Sequence, residues 1–237
     1  MPIRLIAGLG NPGAQYARTR HNIGWRVVEA FGQRHGARWK EERKFHARVA
    51  KLERKGEALW LAEPLTYMND SGTALGQLMR YYKIEAAEAV VIFDEINLPL
   101  AGLKLSAKGS AGGHNGLASV LAHCGPQVVR LRIGIGGKPA PEANLKDWVL
   151  SGFTAEEAKV IEAAVPQAVE ALECLLDHGL ERAMNQFNTK VTTKPKPKAI
   201  DERNQDRPTP LPGNLHTGHP ELPGGTRGTV CEVPRDH

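Results

Sequence analysis

The spacing of apolar positions sets the first expectations. Apolar runs at 3–9, 47–54, 58–62, 89–93 and 128–135 predict strands. Val90-Val91-Ile92-Phe93 has no polar break, as expected of a strand covered on both faces. Residues 47–62 predict a hairpin that turns near Lys55-Gly56. Elsewhere the period lengthens. Leu75, Leu78, Met79 and Tyr82 fall at i, i+3, i+4 and i+7, and Val27, Val28 and Phe31 share one helical face after Asn22. Asn115 is placed to cap a short helix through Leu117, Val120 and Leu121. Thr154 and Glu157 form a capping box for a long helix running to Leu176. Pro166 predicts a kink in it and Gly179 its end, with a last helix over 180–187. Alternating strands and helices predict an α/β fold over residues 1–189: one domain, with a mixed, twisted sheet flanked by helices.

From Lys190 onward Pro, Thr, Lys and Gly dominate and apolar residues thin out. Such a segment cannot offset its ordering entropy, so 190–237 is expected to be a disordered tail. The chain has 237 residues, 41% of them apolar, enough for one sizeable core. It has no apolar run of membrane-spanning length, and it opens on a strand pattern rather than a secretory signal, so a cytoplasmic protein without membrane contact is expected. Cys124, Cys174 and Cys231 suit neither a zinc spacing nor a disulfide framework.

Charge adds a partner class. The net charge is +5, and residues 1–60 alone carry 13 Lys/Arg against 5 Asp/Glu. A basic half fits a polyanion such as nucleic acid, although a solubilising surface would look the same.

Five segments carry candidate chemistry. Gly8-Leu9-Gly10-Asn11-Pro12-Gly13 has the form of a dinucleotide fingerprint. Pro12, however, lacks the N–H that a pyrophosphate would need there, and the next helix starts only near Asn22. Thr19-Arg20-His21-Asn22 offers an imidazole, the natural general base at neutral pH, or else a capped surface residue. Thr66-Tyr67-Met68-Asn69-Asp70-Ser71-Gly72 is a strand-to-helix turn with Asn69 or Ser71 as its cap. Asp94-Glu95 follows the apolar strand, where ligands collect in open α/β sheets and where a carboxylate can orient a histidine. Lys108-Gly109-Ser110-Ala111-Gly112-Gly113-His114-Asn115-Gly116 allows close backbone approach to a ligand and supplies His114 as a second candidate base. No serine nucleophile elbow, zinc-protease motif or P-loop occurs.

In this order, and together with Pro64-Leu65, Leu98-Pro99 and Arg130-Leu131-Arg132-Ile133-Gly134-Ile135-Gly136, these segments resemble the bacterial-type peptidyl-tRNA hydrolase family up to about Phe187. The resemblance implies hydrolysis of the ester between peptide and tRNA by a monomer that uses neither metal nor cofactor. It makes His21 the general base and Asp94 its orienting acid. Asn11, Tyr16, Met68, Asn69, Gly112, Gly113 and Asn115 would bind substrate, and Lys104, Lys108 and Arg132 would meet tRNA phosphate. Glu63, Asn97, Ser106 and Ser110-Ala111 depart from residues common in that family. Two other classes stay open here: a non-catalytic RNA-binding relative and a nicotinamide-dependent enzyme.

Overall fold

The computed structural model describes residues 2–138, 140 and 142–189. They fall within the first of two units of the chain, Met1–Thr192. The expected tail, 190–237, lies outside the described residues.

Seven strands form one sheet: β1 (Leu5–Gly8), β2 (Lys40–Glu42), β3 (Ala47–Arg54), β4 (Glu57–Pro64), β5 (Ala89–Glu95), β6 (Leu103–Ser106) and β7 (Val129–Gly134). Their order is β2-β3-β4-β1-β5-β7-β6. The centre, β4-β1-β5-β7, is parallel, and the flanking pairs β2-β3, β3-β4 and β6-β7 are antiparallel. The sheet is therefore mixed. The β3–β4 hairpin turns at Lys55-Gly56, both with positive φ, the geometry that matches strand twist in a two-residue turn.

The helices are α1 (Ile23–Arg34), α2 (Ser71–Tyr82), α3 (Asn115–Cys124), α4 (Leu145–Leu150), α5 (Ala155–His178) and α6 (Leu180–Phe187). Successive side chains of β1 and β5 enter different cores. Ile6, Val90 and Ile92 pack with Val27 and Phe31 of α1 and Leu172 of α5. Leu5, Val91 and Phe93 pack with Leu75 and Leu78 of α2 and Val120 of α3. This double cover explains the unbroken apolar run of β5. Among the described residues no helix is long and apolar enough to cross a membrane.

Two glycines, Gly8 of the fingerprint-like segment and Gly24 of α1, serve packing. A Cβ on Gly8 would run into the carbonyl of Gly24, and one on Gly24 into the carbonyl of Ile92. Helix α1 thus sits directly on the sheet.

Several elements depart from expectation. β2 and β6 were not predicted: Lys-Glu-Glu carries no apolar signal, and Leu-Lys-Leu-Ser is too short to show a period. The six-residue α4 was also missed; Asn144 caps it by accepting from the Lys146 N–H. Asp70, not Asn69 or Ser71, is the N-cap position of α2, and the Ser71 hydroxyl donates to the Met68 carbonyl. His114, not Asn115, caps α3. Pro166, by contrast, lies inside α5 as expected, with Pro166 and Glu162 on the exposed face, where water can satisfy the carbonyl freed four residues back.

The outer edge of β6 is covered by Asn188 and Thr189. Leu105 N–H donates to Asn188 Oδ1 at 2.6 Å, and Asn188 Nδ2 donates to the Leu105 carbonyl at 3.1 Å. Leu103 N–H donates to Thr189 Oγ1 at 2.9 Å, and Thr189 N–H donates to the Leu103 carbonyl at 2.8 Å. An edge that would otherwise present bare donors and acceptors is closed.

Candidate active site

A cleft of about 710 Å³ opens beyond the carboxyl ends of β1 and β5. Asp94, next to last in β5, lies at its base and is fully buried. The 3-10 turn Arg20–Asn22 brings His21 over it, with His21 Nδ1 2.7 Å from Asp94 Oδ1. His114 Nε2 approaches the same oxygen at 2.9 Å.

The two imidazoles are not equivalent. His114 Nδ1 accepts the Leu117 N–H at 3.1 Å, so its proton is on Nε2 and points at Asp94. Both nitrogens of His114 are committed, which removes it as a base and corrects that expectation. His21 donates from Nδ1 to Asp94, and its Nε2 has no partner among the described residues. Its lone pair is available in the cleft, which His21 lines.

Burial alone would push the Asp94 carboxyl up. The pull of His114, then of His21, and a hydrogen bond from each ring outweigh this and hold it well below the usual carboxylate range. Asp94 is therefore an anion that orients both rings. His21, Asp94 and His114 also place ligand atoms within 4.8 Å of one another, close enough to hold a metal ion. Binding one would require breaking both N–H···O bonds to Asp94.

Asn11 ties three loops together. Its Oδ1 accepts the Met68 N–H at 2.7 Å, its N–H donates to Asn22 Oδ1 at 2.9 Å, and its carbonyl accepts Asn22 Nδ2 at 2.9 Å. Its own Nδ2 has no partner among the described residues. Asn22 was quoted in a motif but assigned no role; buried, it fixes the loop that carries Asn11 next to the turn that carries His21.

Arg20 was missed as well. Only 2% exposed, it stacks on Trp148 at 3.7 Å and bonds Glu157 Oε2 at 2.7 Å and Ser151 Oγ at 3.2 Å. It couples the His21 turn to the segment carrying α4, which supplies the wall residues Leu145, Lys146, Val149 and Leu150.

Every residue expected to bind substrate reaches the cleft: Asn11, Tyr16, Met68, Asn69, Gly112, Gly113 and Asn115. The side-chain amides of Asn69 and Asn115 make no hydrogen bond among the described residues. Gly112 and Gly113 take positive φ, which suits their glycine identity. The phosphate candidates divide. Lys104 and Arg132 are direct cross-strand partners on one face, and Arg132 reaches Glu95 at the cleft edge at 3.5 Å. Lys108 does not join them; it borders a separate cavity of about 680 Å³ with Pro126 and Leu176.

A histidine hydrogen-bonded to a buried carboxylate at the carboxyl ends of parallel strands marks this cleft as the candidate active site of an α/β protein. Sequence comparison identifies its family. The Peptidyl-tRNA hydrolase family model matches residues 5–196. The peptidyl-tRNA hydrolase of Symbiobacterium thermophilum is 49% identical over 189 residues, 78% of this chain and 99% of that protein. The one from Roseiflexus sp. is 45% identical over 206 residues, 86% and 93% of the two chains. The crystal structure of peptidyl-tRNA hydrolase from Acinetobacter baumannii superposes with a TM-score of 0.75 at 35% identity, covering 79% of this chain and 95% of that one. The chain belongs to the peptidyl-tRNA hydrolase family.

Proposed function

We propose that this chain hydrolyses the ester joining a peptide to the 3′ ribose of tRNA, with His21 as general base. The observation that carries the mechanism is the 2.7 Å bond from His21 Nδ1 to buried Asp94, which leaves Nε2 in the cleft without a partner among the described residues. Water gives a proton to Nε2 as its oxygen attacks the ester carbonyl carbon. Asp94 stabilises the imidazolium that forms. Free amide donors, Asn11 Nδ2 among them, stabilise the tetrahedral oxyanion; a donor of this kind is worth about 3–4 kcal/mol in a well-studied hydrolase. Collapse breaks the bond to the ribose oxygen, which takes the proton back from His21. The products are a peptide carboxylic acid, which ionises, and free tRNA.

The cleft wall suits such a substrate. Met68, Ile96, Leu145 and Val149 offer apolar contact without demanding one side chain, while Asn69, Asn115 and the Gly112-Gly113 backbone offer polar partners. Lys104 and Arg132 supply positive charge for phosphate beside the cleft. On this reading the enzyme works as a monomer in the cytoplasm, without metal or cofactor.

The test is hydrolysis of purified peptidyl-tRNA in ¹⁸O-labelled water, before and after treatment with a chelator. One label in the peptide carboxyl group and a rate that survives chelation are expected. Absence of hydrolysis by folded protein would leave a non-catalytic RNA-binding role; loss of rate on chelation would overturn the metal-free mechanism.

A further inference from the structure

Arg130 is buried without a counter-ion. It is 1% exposed, and it forms no ion pair among the described residues. Its partners are backbone carbonyls. Nη1 donates to Ala107 at 3.0 Å and to Val128 at 3.1 Å, and Nη2 donates to Gly109 at 3.0 Å and to Pro126 at 3.1 Å. Each terminal nitrogen therefore bridges the same two segments, the loop that leaves β6 and the turn that follows α3. That takes a planar fork with fixed donor directions, which arginine has and lysine lacks.

The loop so tied is one that reaches the cleft. It starts after Ser106, the partner of Arg130 in the β6–β7 register, and runs to His114. From it Gly112 and Gly113 line the cleft. Its own hydrogen bonding is slight. Residues 107–110 are exposed, and no N–H of 107–113 donates to another described residue. Ala111 accepts the His114 N–H, a bond within the loop. Among the described residues, the bonds that tie loop carbonyls to the rest of the fold are those from Arg130 to Ala107 and Gly109. The turn on the other side of the guanidinium follows Gly125, the end of α3, and α3 is held in the core by Leu117 and Val120. That side is the anchor and the loop is what it holds.

We propose that Arg130 is a positioning residue for substrate: by tethering this loop it sets the Gly112-Gly113 backbone against the bound substrate, without touching the reacting atoms. The role rests on the substrate reading above. Gly109, Gly112 and Gly113 take positive φ, so an untethered loop has many other conformations open to it. Substrate affinity then falls in proportion to the fraction of protein with the loop in place. The His21–Asp94 pair stands on the Arg20–Asn22 turn and on β5, to which the fork makes no bond, so the chemical step is spared.

The experiment compares the full chain as wild type, Arg130→Met and Arg130→Lys, well below their melting temperatures. Steady-state kcat and KM are measured with peptidyl-tRNA. Trypsin nicking after Lys108 is followed by mass spectrometry on the same preparations. Lys108 lies between the two tethered carbonyls, and cleavage there needs local opening of the chain. In Arg130→Met, KM is expected to rise roughly tenfold or more while kcat stays within a few-fold. Nicking after Lys108 should quicken by a similar factor, and cleavage after Arg34 or Arg54 should not. Arg130→Lys should fall between the two; if the Met variant does not fold, the same pair of changes is read from the Lys variant. A wild-type KM, a fall in kcat at unchanged KM, or unchanged nicking after Lys108 overturns the role. If wild type hydrolyses and KM does not move in the variants, Arg130 alone loses its role. If folded wild type does not hydrolyse, the enzyme reading falls and this role falls with it.

Discussion

His114 caps the helix that follows it: its Nδ1 accepts the backbone N–H of Leu117 at 3.1 Å. That bond fixes the tautomer, turns the other N–H toward Asp94, and leaves His21, among the described residues, as the imidazole of the site with a free lone pair. Replacing His114 with Ala should cost about 1 kcal/mol through the lost cap. The rate should fall about tenfold through the lost hydrogen bond to the Asp94 carboxylate. Thermal melts and single-turnover rates check both. A loss as large as that of a His21 variant would contradict the division of labour between the rings.

Asp94→Asn keeps shape and removes charge. Its side-chain nitrogen can face His21 Nδ1 and favour the wrong tautomer. The rate should fall on the order of 10³- to 10⁴-fold, the scale seen when a triad acid is changed to its amide. Single-turnover kinetics on a folded variant checks this; a loss of only a few-fold would mean that His21 needs no anionic partner.

Much of this site was legible in the sequence because its parts lie on strong local signals. The unbroken run before Asp94 marks a doubly covered strand, and the segments carrying Asn69 and Asn115 adjoin helices with a clear apolar period. What could not be read depends on tertiary pairing. β6 gains its place from β7 and from Asn188 and Thr189, more than 80 residues away in sequence. Arg20 acquires its role from Trp148 and Glu157, equally remote. The His114 cap was obscured because Asn is the stronger capping residue in general, whereas here the ring sits at the N-cap with the correct reach. Lys108 illustrates the limit for charge: a basic residue near a functional loop can still face another cavity.

Glu63 offers a pH test away from the chemistry. It is 1% exposed, and burial pushes its carboxyl up to about 8 against the opposing pull of Arg48. The folded state thus binds this proton more tightly than the unfolded chain, whose ordinary value is 4.5. The stabilising contribution is complete below that value and is lost as pH rises through about 8. Relative to Glu63→Gln, wild type should lose roughly 2–4 kcal/mol across that window. Denaturant melts at several pH values check it, and parallel curves for the two proteins would contradict it.

Arg20→Met should destabilise the fold by about 2–3 kcal/mol, since it removes a charged hydrogen bond and a stack on Trp148. Because Arg20 joins the His21 turn to the α4 segment, turnover should fall along with stability, even well below the melting temperature. Arg20→Lys should recover part of the stability but less of the turnover, because lysine cannot reproduce the planar fork. Full turnover in the Met variant would show that the link to α4 is only structural.

The most direct test of the central claim is the rate at which His21→Ala releases free tRNA from saturating peptidyl-tRNA, with its fold verified. With His21 as the base, the rate falls by about 10²- to 10⁴-fold while the substrate still binds. A rate within a few-fold of wild type would show that another group activates the water and would overturn the mechanism built on the His21–Asp94 pair.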